Sequence, residues 1–471
     1  MSDKSPSPGF TLLQSSDIPE YRARGIWLTH NATGCQVYHL LAEDEENFFS
    51  FCFKTPSFNN RGAAHIVEHA VLSGSENYPV KDPFIQLLKG SMHTFLNAMT
   101  YPDKTIYPAA STLAKDLFNV MAVYGDAVFF PLLRREVFWQ EGHRIQLGPE
   151  NRAGITGVVY NEMKGNYANH DSIAAEWSYR SLFPDTPYAF DAGGDPEVIP
   201  DLTYEEFLTF HRTYYHPSNC RIFLYGNIPT ETYLTFLEER FLGVFGKIPL
   251  SSDIPDQPAW KAPAVLEKTC HLGAEESPRG KTTITLNWLL GHAFEPSKAL
   301  EMEIIAEILI GNPGAVLYKA LVESGLGQDL SPVSGLDMHT RQMVFTIGLR
   351  GTDPEKQQDF ENLVMETLRN LTDKGIPQEM LEGVLRRVEF QNREIKGGIP
   401  FGLRLCGRVL QGWMHNESPE KTLLFETYME ELKKKVSAAG RYLEGLIDSW
   451  LTANVHRTTV LVRPDPLHGQ N

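Results

Sequence analysis

The sequence has no CxxC pair. Its five cysteines, Cys35, Cys52, Cys220, Cys270 and Cys406, are odd in number and far apart. That spacing excludes a cysteine zinc knuckle, a thioredoxin-like redox motif and a disulfide scaffold. Single thiols in apolar company, as in Phe51-Cys52-Phe53, read as buried thiols of a reducing compartment. No apolar run reaches the ~18 residues of a membrane span. The N-terminus MSDKSPSPGF lacks a basic start with an apolar stretch behind it, and it is not Arg-rich. No signal or transit peptide is therefore expected, and cytoplasmic residence is the default, an organelle staying open. Positive charge is scarce: 43 Lys and Arg against 59 Asp and Glu give a net charge of −16. Phosphate contacts need clustered cations, so nucleic acid is an unsuitable partner, as is an anionic membrane surface.

With 471 residues, of which 42% are apolar and 22% charged, several folded domains are expected. A proline-rich stretch, PLSSDIPDQPAWKAP at 249–263, divides the chain almost in half. In the first half, apolar runs at 25–30, 35–41 and 48–54 read as strands, followed by helices at 62–72 and 82–92. A hairpin is expected across 94–100 and 104–108. Helices follow at 112–128, 132–145 and 153–181, then a strand at 219–226 and a helix at 230–242. The second half reads as strands at 281–290, 343–350 and 458–463, with helices at 297–310, 315–324, 354–374, 377–395 and 427–451. Both halves mix antiparallel strands with packed helices. The expected class is α+β, with two coarsely alike domains at 1–250 and 269–471 joined by a linker at 251–268.

One motif carries chemistry: His65-Ile66-Val67-Glu68-His69. Histidines at i and i+4 stand one above the other on a helix face and can grip one metal ion. Glu68 lies beside them, where a carboxylate can take a proton from a water and pass it to a leaving amine. The order H-x-x-E-H is that of inverted zinc peptidases. A helix carrying two surface histidines and a glutamate is the plain alternative. A catalytic zinc needs a third protein ligand, and spacing alone leaves Glu76, Asp82, His93, Asp103, Glu141, His143, Glu162 and His170 open. His211 and His216, five apart and ending at Pro217, fit a ligand pair poorly.

The stretches HIVEHAVLSGSENYPVKDPF and TFLNAMTYPDKTIYP resemble the pitrilysin and insulinase family of zinc metallopeptidases, and within it the presequence proteases. FFPLLRREVFWQEGHR, GVVYNEMKGNY, AGGDPEVIPDLTYEEF, YYHPSNCRIFLYGN and LYKALVESGLGQDLSP extend the resemblance along the chain. It implies half of a pitrilysin-type clamshell, built of antiparallel-rich mixed sheets packed with helices. It also implies a zinc site of His65, His69 and Glu162, the last 93 residues beyond His69, with Glu68 as general base. Asn97 and Ala98 match the strand edge on which that family binds the substrate backbone, while a buried turn is the plainer reading of Asn97. Such proteins are about twice this length, so the implied partners are short unfolded peptides and a homologous C-terminal half, covalent or separate. The second half would supply an arginine and a tyrosine whose roles no residue of this chain can be assigned. The expected function is a zinc endopeptidase degrading short peptides. A scaffold subunit, or a half that binds metal and peptide without turnover, is the competing class.

Overall fold

The computed structural model describes residues 8–148, 151–273, 276–393 and 398–465. The chain forms two compact units. The first comprises residues 1–163, 190–254 and 395–424, and the second 164–189, 255–394 and 425–471.

The first unit is built on an eight-stranded mixed sheet. Its order runs Phe10–Ile18, Ala23–His30, Gln36–Ala42, Cys220–Gly226, Asn47–Lys54, Lys104–Ser111, and His93–Leu96 at the edge. Met99–Thr100 also pairs with Lys104–Ser111. All neighbours are antiparallel except Cys220–Gly226 on Gln36–Ala42. Every residue of Asn47–Lys54 (NFFSFCFK) is buried, because helices cover both faces of this central strand. The period of two divides it cleanly. Phe49, Phe51 and Phe53 meet Tyr124 and Phe129 of the helix Ala114–Phe129. Phe48 and Cys52 join Leu405, Cys406 and Val409 of the helix Phe401–Trp413.

The second unit has a six-stranded sheet, ordered Ala264–His271, Arg457–Asp465, Thr282–His292, Gln342–Thr352, Asp329–Leu330, with Gly335–Asp337 also on Gln342–Thr352. Its core joins Ile284, Leu286 and Trp288 to Ile305, Leu309, Phe345 and Leu368. The helix His170–Arg180 packs Ile173 and Ala174 on Cys270, Val460 and Val462. The α+β class with antiparallel-rich mixed sheets is thus the observed one. All five cysteines are buried and free. Among the described residues, no helix is long and apolar enough to cross a membrane.

Two expected helices are broken. The single helix at 153–181 is a strand Ala153–Thr156, paired with Arg144–Leu147, and two helices, Val158–Tyr167 and His170–Arg180. Asn169 restarts the second by accepting a hydrogen bond from Ser172 N at 3.1 Å, a cap that ends the first. The helix expected at 427–451 divides into Phe425–Ala438, Tyr442–Ile447 and a wider turn Asp448–Thr452, with Gly440 at the first break. The helix expected at 377–395 is Gln378–Arg393, and its last two expected residues lie outside the described ones. Strands Phe10–Ile18 and Ala264–His271 and helices Tyr204–Tyr214 and Phe401–Trp413 are additions to the sequence reading.

Candidate metal centre

The motif helix spans Ala63–Val71. Ala64, Ile66, Val67, Ala70 and Val71 are buried and fix it against the helices Arg135–Glu141 and Tyr204–Tyr214 and the strand Met99–Thr100. Its start needs glycine. Gly62 sits at φ 69°, and a Cβ there would lie 2.8 Å from Gly193 O. That carbonyl accepts from His65 Nδ1 at 3.3 Å, so the imidazole carries its proton on Nδ1 and presents a lone pair at Nε2. His69 is oriented likewise: its Nδ1 lies 3.2 Å from Glu141 Oε2, while Gln140 Nε2 donates to Glu141 Oε1 at 2.8 Å. The two rings stand 4.9 Å apart at 78°.

Both Nε2 atoms face Glu162, whose Oε2 is 3.8 Å from His65 Nε2 and 4.0 Å from His69 Nε2. These distances are too long for hydrogen bonds. They approach the roughly 3.4 Å between ligand atoms that bonds of ~2.1 Å around a tetrahedral zinc require. The three ligand atoms lie within 4.8 Å of one another, the one such group of His, Cys, Asp or Glu among the described residues. Two neutral imidazoles and one carboxylate also match the donor chemistry of an open zinc site, so the residues present fit the ion. Burial pushes the His69 pKa down, but the hydrogen bond to Glu141 and the charges of Glu68, Glu141 and Glu162 outweigh it and hold the group above its ordinary value. The same concentration of negative charge favours a bound cation.

Glu162 arrives by close backbone approach. Val159 and Met163 anchor the helix Val158–Tyr167. The glycine before it, Gly157, lies so near Gly142 that a Cβ would be 2.0 Å from Gly142 O. Gly142 directly follows Glu141, so the backbone contact holds the start of the Glu162 helix against the end of the Glu141 helix.

Glu68 is 7% exposed, and Thr100 Oγ1 donates to its Oε2 at 2.6 Å. Asn97 and Ala98 lie between the strands His93–Leu96 and Met99–Thr100. Asn97 is exposed rather than buried; its Oδ1 accepts from Ala98 N at 3.0 Å and its carbonyl from Tyr124 Oη at 3.1 Å. The other histidines and acids are engaged or distant. His143 Nε2 donates to Leu202 O, His93 pairs with Ser91 Oγ, and Asp103 lies within ion-pair distance of Lys104 and His415. His170 belongs to the second unit, 3.4 Å from Cys270 Sγ. Glu76 is exposed, and Asp82 opens the helix Pro83–Gly90. No sequence motif singles out Thr100, and spacing leaves Glu141 as one of several possible ligands.

Residues 57–147 match the insulinase (peptidase family M16) model, and residues 201–388 the peptidase M16 inactive domain. The chain belongs to the M16 peptidase family. Protein HypA of Clostridium perfringens is 39% identical over 461 residues, covering 97% of this chain and 47% of that protein. Presequence protease 1 of Arabidopsis thaliana, chloroplastic/mitochondrial, is 39% identical over 473 residues, 98% of this chain and 44% of that one. The M16 chain therefore spans about half the length of the curated relatives it matches. Pitrilysin superposes with a TM-score of 0.64 at 17% identity, over 98% of this chain and 47% of that one. A protease from Helicobacter pylori does so at 0.70 and 17%, over 94% and 100%. The M16 match at 57–147 contains His65, Glu68, His69, Asn97, Ala98 and Glu141, whereas Glu162 falls between the two matched segments.

Proposed function

We infer that the chain is the N-terminal half of a zinc-dependent endopeptidase of the presequence-protease type, acting on short unfolded peptides. The observation that carries this reading is the convergence of His65 Nε2, His69 Nε2 and Glu162 Oε2 beside the buried carboxylate of Glu68. His65, His69 and Glu162 would hold the zinc, and when bound it supplies Lewis-acid polarisation of a peptide carbonyl and a water. Glu68 performs the proton chemistry. With Oε2 held by Thr100, Oε1 takes the proton of the attacking water and delivers it to the departing peptide nitrogen. The exposed edge at Asn97 and Ala98 suits a substrate added as an extra strand, bound through its backbone and hence with little sequence demand.

Residues 1–250 form the catalytic domain in this reading, 251–268 a linker, and 269–471 a non-catalytic homologue. The relatives' greater length supports a homologous second half as partner. Its groups for the developing oxyanion lie outside this chain, and lack of one such donor costs ~10²–10³ in turnover. Free buried thiols suit a reducing compartment such as the cytoplasm.

The test combines metal analysis with cleavage of an unstructured fluorogenic peptide. The chain should hold about one zinc, cleave slowly alone, and cleave faster with the second half. Glu68→Gln should keep the metal and lose at least ~10²-fold in rate. Stoichiometric zinc in both His65→Ala and His69→Ala would refute the site.

A further inference from the structure

We propose that Thr100 is a positioning residue that ties the bound peptide strand to the general base. The inference rests on the peptidase reading above. Its first support is the hydrogen-bond ladder. The segment from His93 to Thr100 ends the sheet order and, among the described residues, pairs on one side only, with Lys104–Ser111. In an antiparallel ladder, main-chain groups point alternately toward the partner and away from it. Asn97 N donates to Pro108 O at 3.2 Å and Tyr101 N to Lys104 O at 2.8 Å. Residues 97, 99 and 101 therefore face the sheet, and the N–H and C=O of Thr100 and the C=O of Ala98 face the free edge, while the Ala98 N–H is held by Asn97 Oδ1 at 3.0 Å. A peptide adding as a strand pairs with those groups.

The second support is the side chain of the same residue, whose hydroxyl donates to Glu68 Oε2 at 2.6 Å. Threonine is branched at Cβ and stiff about χ1, so fixing its backbone fixes its hydroxyl. A peptide strand that straightens residues 98–100 thereby also holds the Glu68 carboxylate, with one oxygen anchored and the other directed to the water. The hydroxyl of Thr100 is spent on Glu68. It acts through Glu68.

The experiment separates the hydroxyl from the backbone. Peptide cleavage is measured on the zinc-loaded protein as wild type, Thr100→Val and Thr100→Ser. Val keeps the shape and the N–H but removes the hydroxyl. It should lower kcat about 10- to 100-fold, the scale of a lost hydrogen bond to a charged group, with KM and zinc content unchanged. Ser should restore most of the rate. Binding of the same peptide is then measured in the Glu68→Gln background, where it is not turned over. Thr100→Val should bind as the parent does. Thr100→Pro, tolerated on an edge strand but lacking the N–H, should bind at least about threefold more weakly.

If wild type cleaves and Val matches it, or Ser is no better than Val, the hydroxyl does not position the base and the inference falls alone. Zinc lost from Thr100→Val overturns it as well, since the residue would then support the metal. Unchanged binding by Thr100→Pro removes the strand half of the link. No cleavage by wild type with its second half sinks the peptidase reading, and this inference with it.

Discussion

Glu141 offers the sharpest test of how the centre is built. Its carboxylate is nearly buried, with Oε2 at 3.2 Å from His69 Nδ1 and Oε1 held by Gln140 Nε2 at 2.8 Å. That arrangement keeps the His69 proton on Nδ1 and turns Nε2 toward Glu162. Glu141→Ala leaves the ring free to rotate and to change tautomer, and removes a negative charge behind it. Loss of such a supporting carboxylate typically weakens a metal by about 10- to 100-fold. At about 1.4 kcal/mol per tenfold, this is about 1.4–2.8 kcal/mol of zinc affinity. Glu141→Gln retains an acceptor oxygen and loses only the charge, so its effect should be smaller, about 3- to 10-fold. The assay is zinc titration against a competing chelator, at one neutral pH, on wild type and both variants. Two results would refute the reasoning. An Ala variant within about threefold of wild type means that Glu141 does not govern His69. An Ala variant as metal-free as His65→Ala means that Glu141 is itself a ligand and that Glu162 has been misassigned.

Glu162→Ala should remove most of the zinc while leaving the fold intact, because the residue is exposed on a helix anchored by Val159 and Met163; metal analysis with circular dichroism checks both, and full zinc content would overturn the ligand set. Acid should destabilise the first unit through two buried neutral histidines. Burial drives His39 down to about 3 and His211 down to about 4. Above an unfolded pKa of ~6.5 neither state binds the proton, so their stabilising contribution is fully present there; below it only the unfolded chain does, until the folded values are reached. Stability should therefore fall as pH drops from 6.5 toward 4, at up to about 1.4 kcal/mol per pH unit for each histidine. His211→Gln should shed its share of the slope in urea unfolding between pH 6.5 and 4.5, and an unchanged slope would show that the imidazole is not held neutral.

Much of the architecture is written in short-range pattern. The run Asn47–Lys54 carries its phenylalanines on alternate faces, and the structure buries both. The helix Tyr204–Tyr214 was readable and missed. Thr203 and Glu206 form a capping box, the T-x-x-E signature that marks its start. Phe401–Trp413 is harder. Glycines at 402, 407 and 412 lower its intrinsic helicity, and burial against the sheet, on residues such as Phe48, Cys52 and Phe223, offsets it. Asn169 hid in what looked like one long helix, although a cap residue in a helical run is the local sign of a restart.

The site divides along the same line. His65, Glu68 and His69 share a helical turn, so their proximity follows from 3.6-residue geometry alone. Nothing local joins them to Glu162, 93 residues past His69 and exposed on a helix whose apolar residues are few. The link is a backbone contact between Gly142 and Gly157 across the Arg144–Leu147 and Ala153–Thr156 hairpin. A glycine pair that must touch leaves no mark in hydrophobic period or charge pattern, so only resemblance to a family singles out Glu162 as the proposed third ligand. The same contact brings Glu141 and Glu162 to one metal centre. They stand at the two ends of one hairpin, on opposite sides of His69: one meets Nδ1, the other faces Nε2. Which of them ligates is settled by the tautomer of a single imidazole, a property that a sequence does not display and that zinc affinity in the Glu141 variants reads directly.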